Sequence, residues 1–235
     1  MEAIILAGGL GTRLREVIWD LPKPMAPVLG KPFLHYILER LEMQGVRRVI
    51  LAVGYKHETI SSYFGHRFGE IRIAYSVEEE PLGTGGALKK AMTQISSDQV
   101  LVLNGDTLFH VDIPQLVQVH KERAADLTLS LKPMKRFDRY GAVIVSSDCR
   151  VLSFEEKRMC ESGLINGGVY VARTDLWDLF ELLAAPFSFE QFLGSPDAQK
   201  LHMYGFPSEG YFIDIGIPED YERAKSELGT GSGDR

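Results

Sequence analysis

The chain has 235 residues, 45% of them hydrophobic and 25% charged, which suits one large α/β domain or two small ones and is enough to bury a substantial core. A formal net charge of −6, with no basic stretch to displace counterions from a phosphate backbone, excludes a nucleic-acid binder. Two distant cysteines, Cys149 and Cys160, and six scattered histidines exclude a disulfide framework and a zinc site and fit a reduced, cytoplasmic setting. In chain order, "MEAIILAGG" reads as a first buried strand, too short for a membrane span and without the basic leader of a signal peptide. "RVILAVG" (48–54), "IRIAYS" (71–76) and "QVLVLN" (99–104) are further apolar runs of the kind found in strands covered on both faces. Between them, 33–43 sets Phe33, Leu34, Ile37, Leu38 and Leu41 on one helical face, with Gly45 as a C-terminal cap. "GGALKKAMTQI" (85–95) and "IPQLVQVHKERAA" (113–125) repeat the helical pattern.

This alternation predicts an α/β fold, a Rossmann-like, mostly parallel sheet flanked by helices, with ligands bound beyond the carboxyl ends of the strands. From about residue 126 the runs shorten and become strand-like ("DLTLSLKP", "GAVIVS", "RVLSFEE", "GGVYVAR"), which predicts added strands forming a smaller lobe. The expected unit is a single domain over 1–227, divided near 125, followed by a disordered tail at 228–235.

The stretch "LAGGLGTRL" (6–14) follows the first strand directly. It lacks the lysine of a P-loop and, with Leu14 in the third place, the last glycine of a dinucleotide fingerprint; no acid follows the second strand to hold a ribose. What remains is a strand leading into Gly8, Gly9, Gly11, Thr12 and Arg13, whose backbone N–H groups can approach a polyphosphate while the arginine adds bidentate charge. A tight turn with a surface arginine is the other reading. The flanking prolines of "PKP" (22–24) stiffen the backbone around Lys23 and so aim one cation.

With "PKPM", "PLGTGGAL", "NGD", "FEEK", "NGGVY" and "FIDIGIPEDY" in this order, the chain resembles the sugar-1-phosphate nucleotidyltransferases over residues 1 to about 227. Within that family "GTRLREVIWDLPKPMAP" is similar to the branch that guanylylates a manno-heptose 1-phosphate. It departs from the commoner pattern, in which proline, leucine and threonine stand at the place of Glu16, Val17 and Ile18. The resemblance implies attack by a sugar 1-phosphate on the α-phosphorus of a nucleoside triphosphate, here GTP, with Mg2+ as cofactor. The implied partners are the two substrates, with no membrane; a homo-oligomer is left open. A mannose or other hexose 1-phosphate is the alternative acceptor, and a noncatalytic regulatory subunit the alternative role.

Residue by residue, the resemblance implies that Arg13 grips the departing phosphates, Lys23 lies against the α and β phosphates, and Asp106 and Asp214 hold the metal. Leu6, Ala7, Gly8, Gly9, Gly11, Thr12, Glu78 and Gly83 form the nucleotide site. Glu78 stands where uracil- or thymine-reading members carry glutamine, and a carboxylate suits the two adjacent donors of guanine. Gly141, Glu156, Lys157 and Asn166 form the sugar-phosphate pocket. Alone, Asp106 equally reads as a turn or capping aspartate, Glu78 to Glu80 as a solvated acidic turn, and Glu156 with Lys157 as an exposed charge pair.

Overall fold

A computed structural model describes residues 1–9, 20–181 and 183–228. Gly11, Thr12 and Arg13, and the tail from 229 onward, lie outside the described residues. In chain order the strands are β1 (Glu2–Leu6), β2 (Pro27–Val28), β3 (Lys31–Pro32), β4 (Arg48–Val53), β5 (Arg67–Phe68), β6 (Ile71–Val77), β7 (Gln99–Asn104) and β8 (Thr107–Phe109), then β9 (Leu127–Phe137), β10 (Val143–Val145), β11 (Val151–Phe154), β12 (Cys160–Arg173), β13 (Met203–Pro207) and β14 (Phe212–Asp214). The helices are α1 (Phe33–Met43), α2 (His57–Phe64), α3 (Gly83–Met92), α4 (Ile113–Glu122), α5 (Asp178–Glu181), α6 (Phe189–Leu193) and α7 (Pro218–Glu227).

Eight strands form one mixed sheet in the order β13-β9-β12-β7-β1-β4-β6-β5. The apolar runs of β7, β1, β4 and β6 pair parallel, as continuous hydrophobicity requires when helices cover both faces. Alternation along β1 divides the core: Ala3 and Ile5 pack with α1, whereas Ile4 packs with Ala87, Leu88 and Ala91 of α3. Long β12 runs antiparallel between β7 and β9, so β9 and β12 extend the main sheet, while β10 and β11 pair with each other outside it.

Helix α1 matches its expected span, and Gly45 follows it at φ +82°, as a left-handed cap demands. Helix α3 begins two residues earlier than the periodicity predicts and stops at Met92, where the Thr93 hydroxyl donates to the Lys90 carbonyl at 2.8 Å. Helix α4 starts where expected, its N-terminus capped by Asp112 accepting from Gln115 N–H at 2.9 Å; it ends at Glu122, and Ala124 then turns at φ +44° toward β9.

A small ribbon outside the main sheet positions two acidic residues. β14 pairs antiparallel with β8, setting Asp214 opposite Thr107, and Ile215 N–H donates to the Asp106 carbonyl at 3.0 Å. Two aspartates remote in the chain are thereby fixed side by side at the carboxyl end of β7.

Candidate active site

A cavity of about 480 Å³ opens at the carboxyl ends of β1, β4, β6 and β7, where ligands are expected in an open α/β sheet. Its floor is backbone brought close by glycine. Gly105 N–H donates to the Leu6 carbonyl at 2.9 Å, and a Cβ on Gly105 would lie 2.6 Å from that oxygen. A Cβ on Gly8 would stand 2.7 Å from Glu78 Oε1 and 3.2 Å from Gly54 N. Ala7 continues the ladder, donating to the Ala52 carbonyl at 2.8 Å, and Gly9 lies at the rim with open space where a side chain would project.

At one end of the cavity, Lys23 sits in a single 3-10 turn whose Met25 N–H returns to the Pro22 carbonyl at 2.8 Å, the prolines holding it open on both sides. Its Nζ lies 2.5 Å from Asp106 Oδ2 and 3.9 Å from Asp214 Oδ1, and the side chain is 13% exposed. Burial pushes the Asp214 carboxyl up to about 6, with the Asp106 charge adding to the rise and Lys23 opposing it. Among the described residues Asp214 Oδ1 is buried with no hydrogen-bond partner. Two carboxylates, one with an orphaned oxygen, form a donor set that fits one hard cation completed by phosphate oxygens, the usual manner for Mg2+. Tyr140 packs edge-on against Phe212 at 6.0 Å; burial raises its phenol and the Asp214 charge adds to that.

At the other end stands Glu78, directly after β6, its Oε2 accepting from Leu82 N–H at 2.9 Å. Burial raises its pKa, opposed by that hydrogen bond and by Lys90. The carboxylate thus frames the turn into α3 and also faces the cavity, with Gly83 at φ +71° beside it. Three strand spacings separate β6 from β7, about 14 Å, which places Glu78 and Asp106 at opposite ends.

The structure therefore brings Leu6, Ala7, Gly8, Gly9, Lys23, Glu78, Gly83 and Asp106 to one cavity, with Asp214 against Lys23. It does not bring Gly141, Glu156, Lys157 or Asn166 into its lining. Gly141 packs beneath Glu155, whose carbonyl a Cβ there would meet at 2.3 Å, and Glu156 and Lys157 beyond it are exposed. Asn166 is engaged internally, Nδ2 donating to Tyr170 OH at 2.8 Å and Oδ1 accepting from Gly168 N–H at 3.1 Å. Sequence reasoning did not name six polar lining residues as part of the site: Tyr55, Glu79, Glu80, Thr84, Asn104 and Glu190. Thr84 and Asn104 lie inside the recognised "PLGTGGAL" and "LNGD" stretches, and Asn104 Oδ1 is a second buried, unpartnered oxygen. Nothing periodic or motif-like marks Glu190.

The family model described as nucleotidyl transferase matches residues 2–231. The chain belongs to the nucleotidyl transferase family. This transferase is 56% identical to a D-glycero-alpha-D-manno-heptose 1-phosphate guanylyltransferase of Aneurinibacillus thermoaerophilus, over 97% of its own length and 98% of the relative's. It is 50% identical to a protein of the same name from Campylobacter jejuni, over 94% and 97% of the two chains. Its fold superimposes on the crystal structure of HddC from Yersinia pseudotuberculosis with a TM-score of 0.86 at 37% identity, covering 97% of this chain and 99% of that one. The same protein complexed with GMP-PN matches at 0.84.

Proposed function

We propose that this transferase moves guanylate from GTP to D-glycero-α-D-manno-heptose 1-phosphate. The observation that carries the reading is the 56% identity, over nearly all of both chains, to an enzyme named for that reaction. The cavity supports it chemically. A phosphate oxygen of the sugar 1-phosphate forms a bond to the α-phosphorus of GTP, the bond from that phosphorus to the α–β bridging oxygen breaks, and pyrophosphate leaves with the electron pair.

Three carboxylates (Glu78, Glu79 and Glu80) line the cavity at the end away from Asp106, while Lys23 is its lining cation among the described residues. A triphosphate is therefore repelled from the Glu78 end and drawn to the Lys23 end, which leaves the base beside Glu78. There the carboxylate accepts from guanine N1–H and N2–H. Asp106 and Asp214 would hold Mg2+, which when bound neutralises phosphate charge and polarises the α-phosphoryl group. Lys23 carries its charge to the α and β phosphates, and Arg13, by resemblance, to the leaving pair. The nucleotide half spans about 1–125 and the sugar half about 126–227, with Gly141, Glu156, Lys157 and Asn166 serving the sugar phosphate. Among the described residues no helix is long and apolar enough to cross a membrane.

A pyrophosphate-release assay crossing GTP, ATP, CTP and UTP with mannose 1-phosphate and manno-heptose 1-phosphate tests the reading. The largest kcat/KM is expected for GTP with the heptose phosphate; an equal or larger value for the hexose overturns the acceptor, and preference for another triphosphate overturns the base.

A further inference from the structure

The stretch 187–190 reaches the nucleotide cavity from the far side of the fold and is fastened there by backbone. Phe187 N–H donates to the Leu82 carbonyl at 3.1 Å, and the Phe187 carbonyl accepts from Gly85 N–H at 2.9 Å. This docking explains the two glycines around Thr84. A Cβ on Gly83 would lie 2.4 Å from the Phe187 carbonyl oxygen, and one on Gly85 2.1 Å from the Phe187 ring. Between them the Thr84 hydroxyl accepts from Phe189 N–H at 2.8 Å and donates to Glu190 Oε2 at 2.8 Å. The Ser188 hydroxyl donates to the same oxygen at 2.9 Å. Glu190 is thus an exposed carboxylate held by two hydroxyls through one oxygen, with no partner on Oε1 among the described residues, in the wall of the cavity.

Its position along the cavity is intermediate. Leu82, which donates to Glu78, also accepts from Phe187, so the same turn anchors both acidic residues. From there α6 leans toward β7: Phe189 packs edge-on against Tyr170 of β12 at 5.2 Å, and the Tyr170 phenol, buried beside β7, is raised by burial and then by the charges of Glu190 and Asp106. Glu190 therefore lies between the base end at Glu78 and the reacting end at Asp106. In a nucleoside triphosphate the group between base and phosphates is the ribose. Its vicinal hydroxyls are paired donors that suit a preset carboxylate, the recognition other nucleotide-binding sheets obtain from an acid after their second strand. That acid is missing here, since β4 runs out into Gly54 and Tyr55.

We propose that Glu190 receives the ribose hydroxyls of the bound nucleotide, an assignment that rests on the guanylyl transfer proposed above. Steady-state kcat/KM with GTP, 2′-deoxy-GTP and ITP, on the full chain and its Glu190→Gln, Glu190→Ala and Glu78→Gln variants, tests it. The parent is expected to favour GTP over 2′-deoxy-GTP roughly tenfold or more, and Glu190→Ala to bring that ratio near one, with Glu190→Gln between. The ratio of GTP to ITP, which differ only in the 2-amino group, stays unchanged in both Glu190 variants and falls in Glu78→Gln. Equal use of GTP and 2′-deoxy-GTP by the parent overturns the proposal. So does an unaltered ratio with all rates lowered together, which makes Glu190 a clip for α6, or a change confined to the GTP to ITP ratio or to the sugar-phosphate KM. A parent that prefers UTP removes the guanine reading instead, and Glu190 is then judged on UTP against 2′-deoxy-UTP.

Discussion

The two ends of the central sheet each bury a carboxylate, and they treat it in opposite ways. At the amino end, Glu2 opens β1 and its Oε2 accepts from Ser96 N–H at 2.8 Å, Ser97 N–H at 2.9 Å and both serine hydroxyls, while Oε1 accepts from Arg48. Burial alone would raise this carboxyl, but the hydrogen bonds outweigh it and hold the pKa at about 2. At the carboxyl end, Asp214 keeps an oxygen with no hydrogen-bond partner among the described residues, faces Asp106, and is pushed up to about 6. One group is saturated and stabilises the fold; the other, set beside a like charge, is costly to it. Where donors are withheld from a buried charge, the chain is keeping a place for something it does not itself supply.

The largest effect that would break this contrast is at Asp214. Asp214→Asn is expected to lower guanylyl turnover by about a thousandfold, some 4 kcal/mol, by removing a charged ligand. The melting temperature of the metal-free protein should hold or rise, because the like-charge contact with Asp106 is relieved. A clear fall in melting temperature together with near-normal turnover would mean that Asp214 is structural.

Glu2→Gln should do the reverse, leaving kcat for guanylyl transfer intact while lowering unfolding free energy at neutral pH by on the order of 3 kcal/mol, the linkage value of a shift from 4.5 to about 2. A depressed carboxyl stabilises fully above its unfolded pKa and loses that contribution as pH falls through its folded value. Denaturant titrations of parent and variant should therefore converge between pH 4.5 and about 2, and a gap of constant size across that window would show that packing, not charge, is lost.

The smallest effect concerns a glycine at the amino end. Gly45, leading into the amino end of β4, stands at φ +82° with open space where a Cβ would project, so Gly45→Ala should cost only about 1 kcal/mol of backbone strain in a thermal melt and nothing in turnover. A loss several times larger would mean that this turn packs more tightly than its geometry indicates.

Legibility followed the same division. The buried strands, α1 and Gly45 could be read from the sequence because period and punctuation are local signals. The glycine floor was readable as a loop, yet the partners that demand glycine, such as Leu6 over Gly105, lie far off in the chain. Lys23 stood out as a cation aimed by its flanking prolines, but its place beside Asp106 and Asp214 came only through the family resemblance, since nothing near any of them announces the other two. Glu190 was invisible because a five-residue helix has no period to detect and its place in the cavity wall depends on docking to Thr84. Glu156 and Lys157, proposed for the sugar phosphate, stand exposed on the loop after β11, where sequence pattern alone reads a solvated pair.

The β8–β14 ribbon has a consequence for the order in which competence arises. Asp106 and the loops that shape the cavity belong to the first half of the chain, but the second aspartate reaches them only when 212–214 zips onto 107–109. On the ribosome, a growing chain that has already folded β1, β4, β6 and β7 still lacks half of its acidic pair. Asp214 stands beside Asp106 and Lys23 only once β14, among the last strands to emerge, has docked.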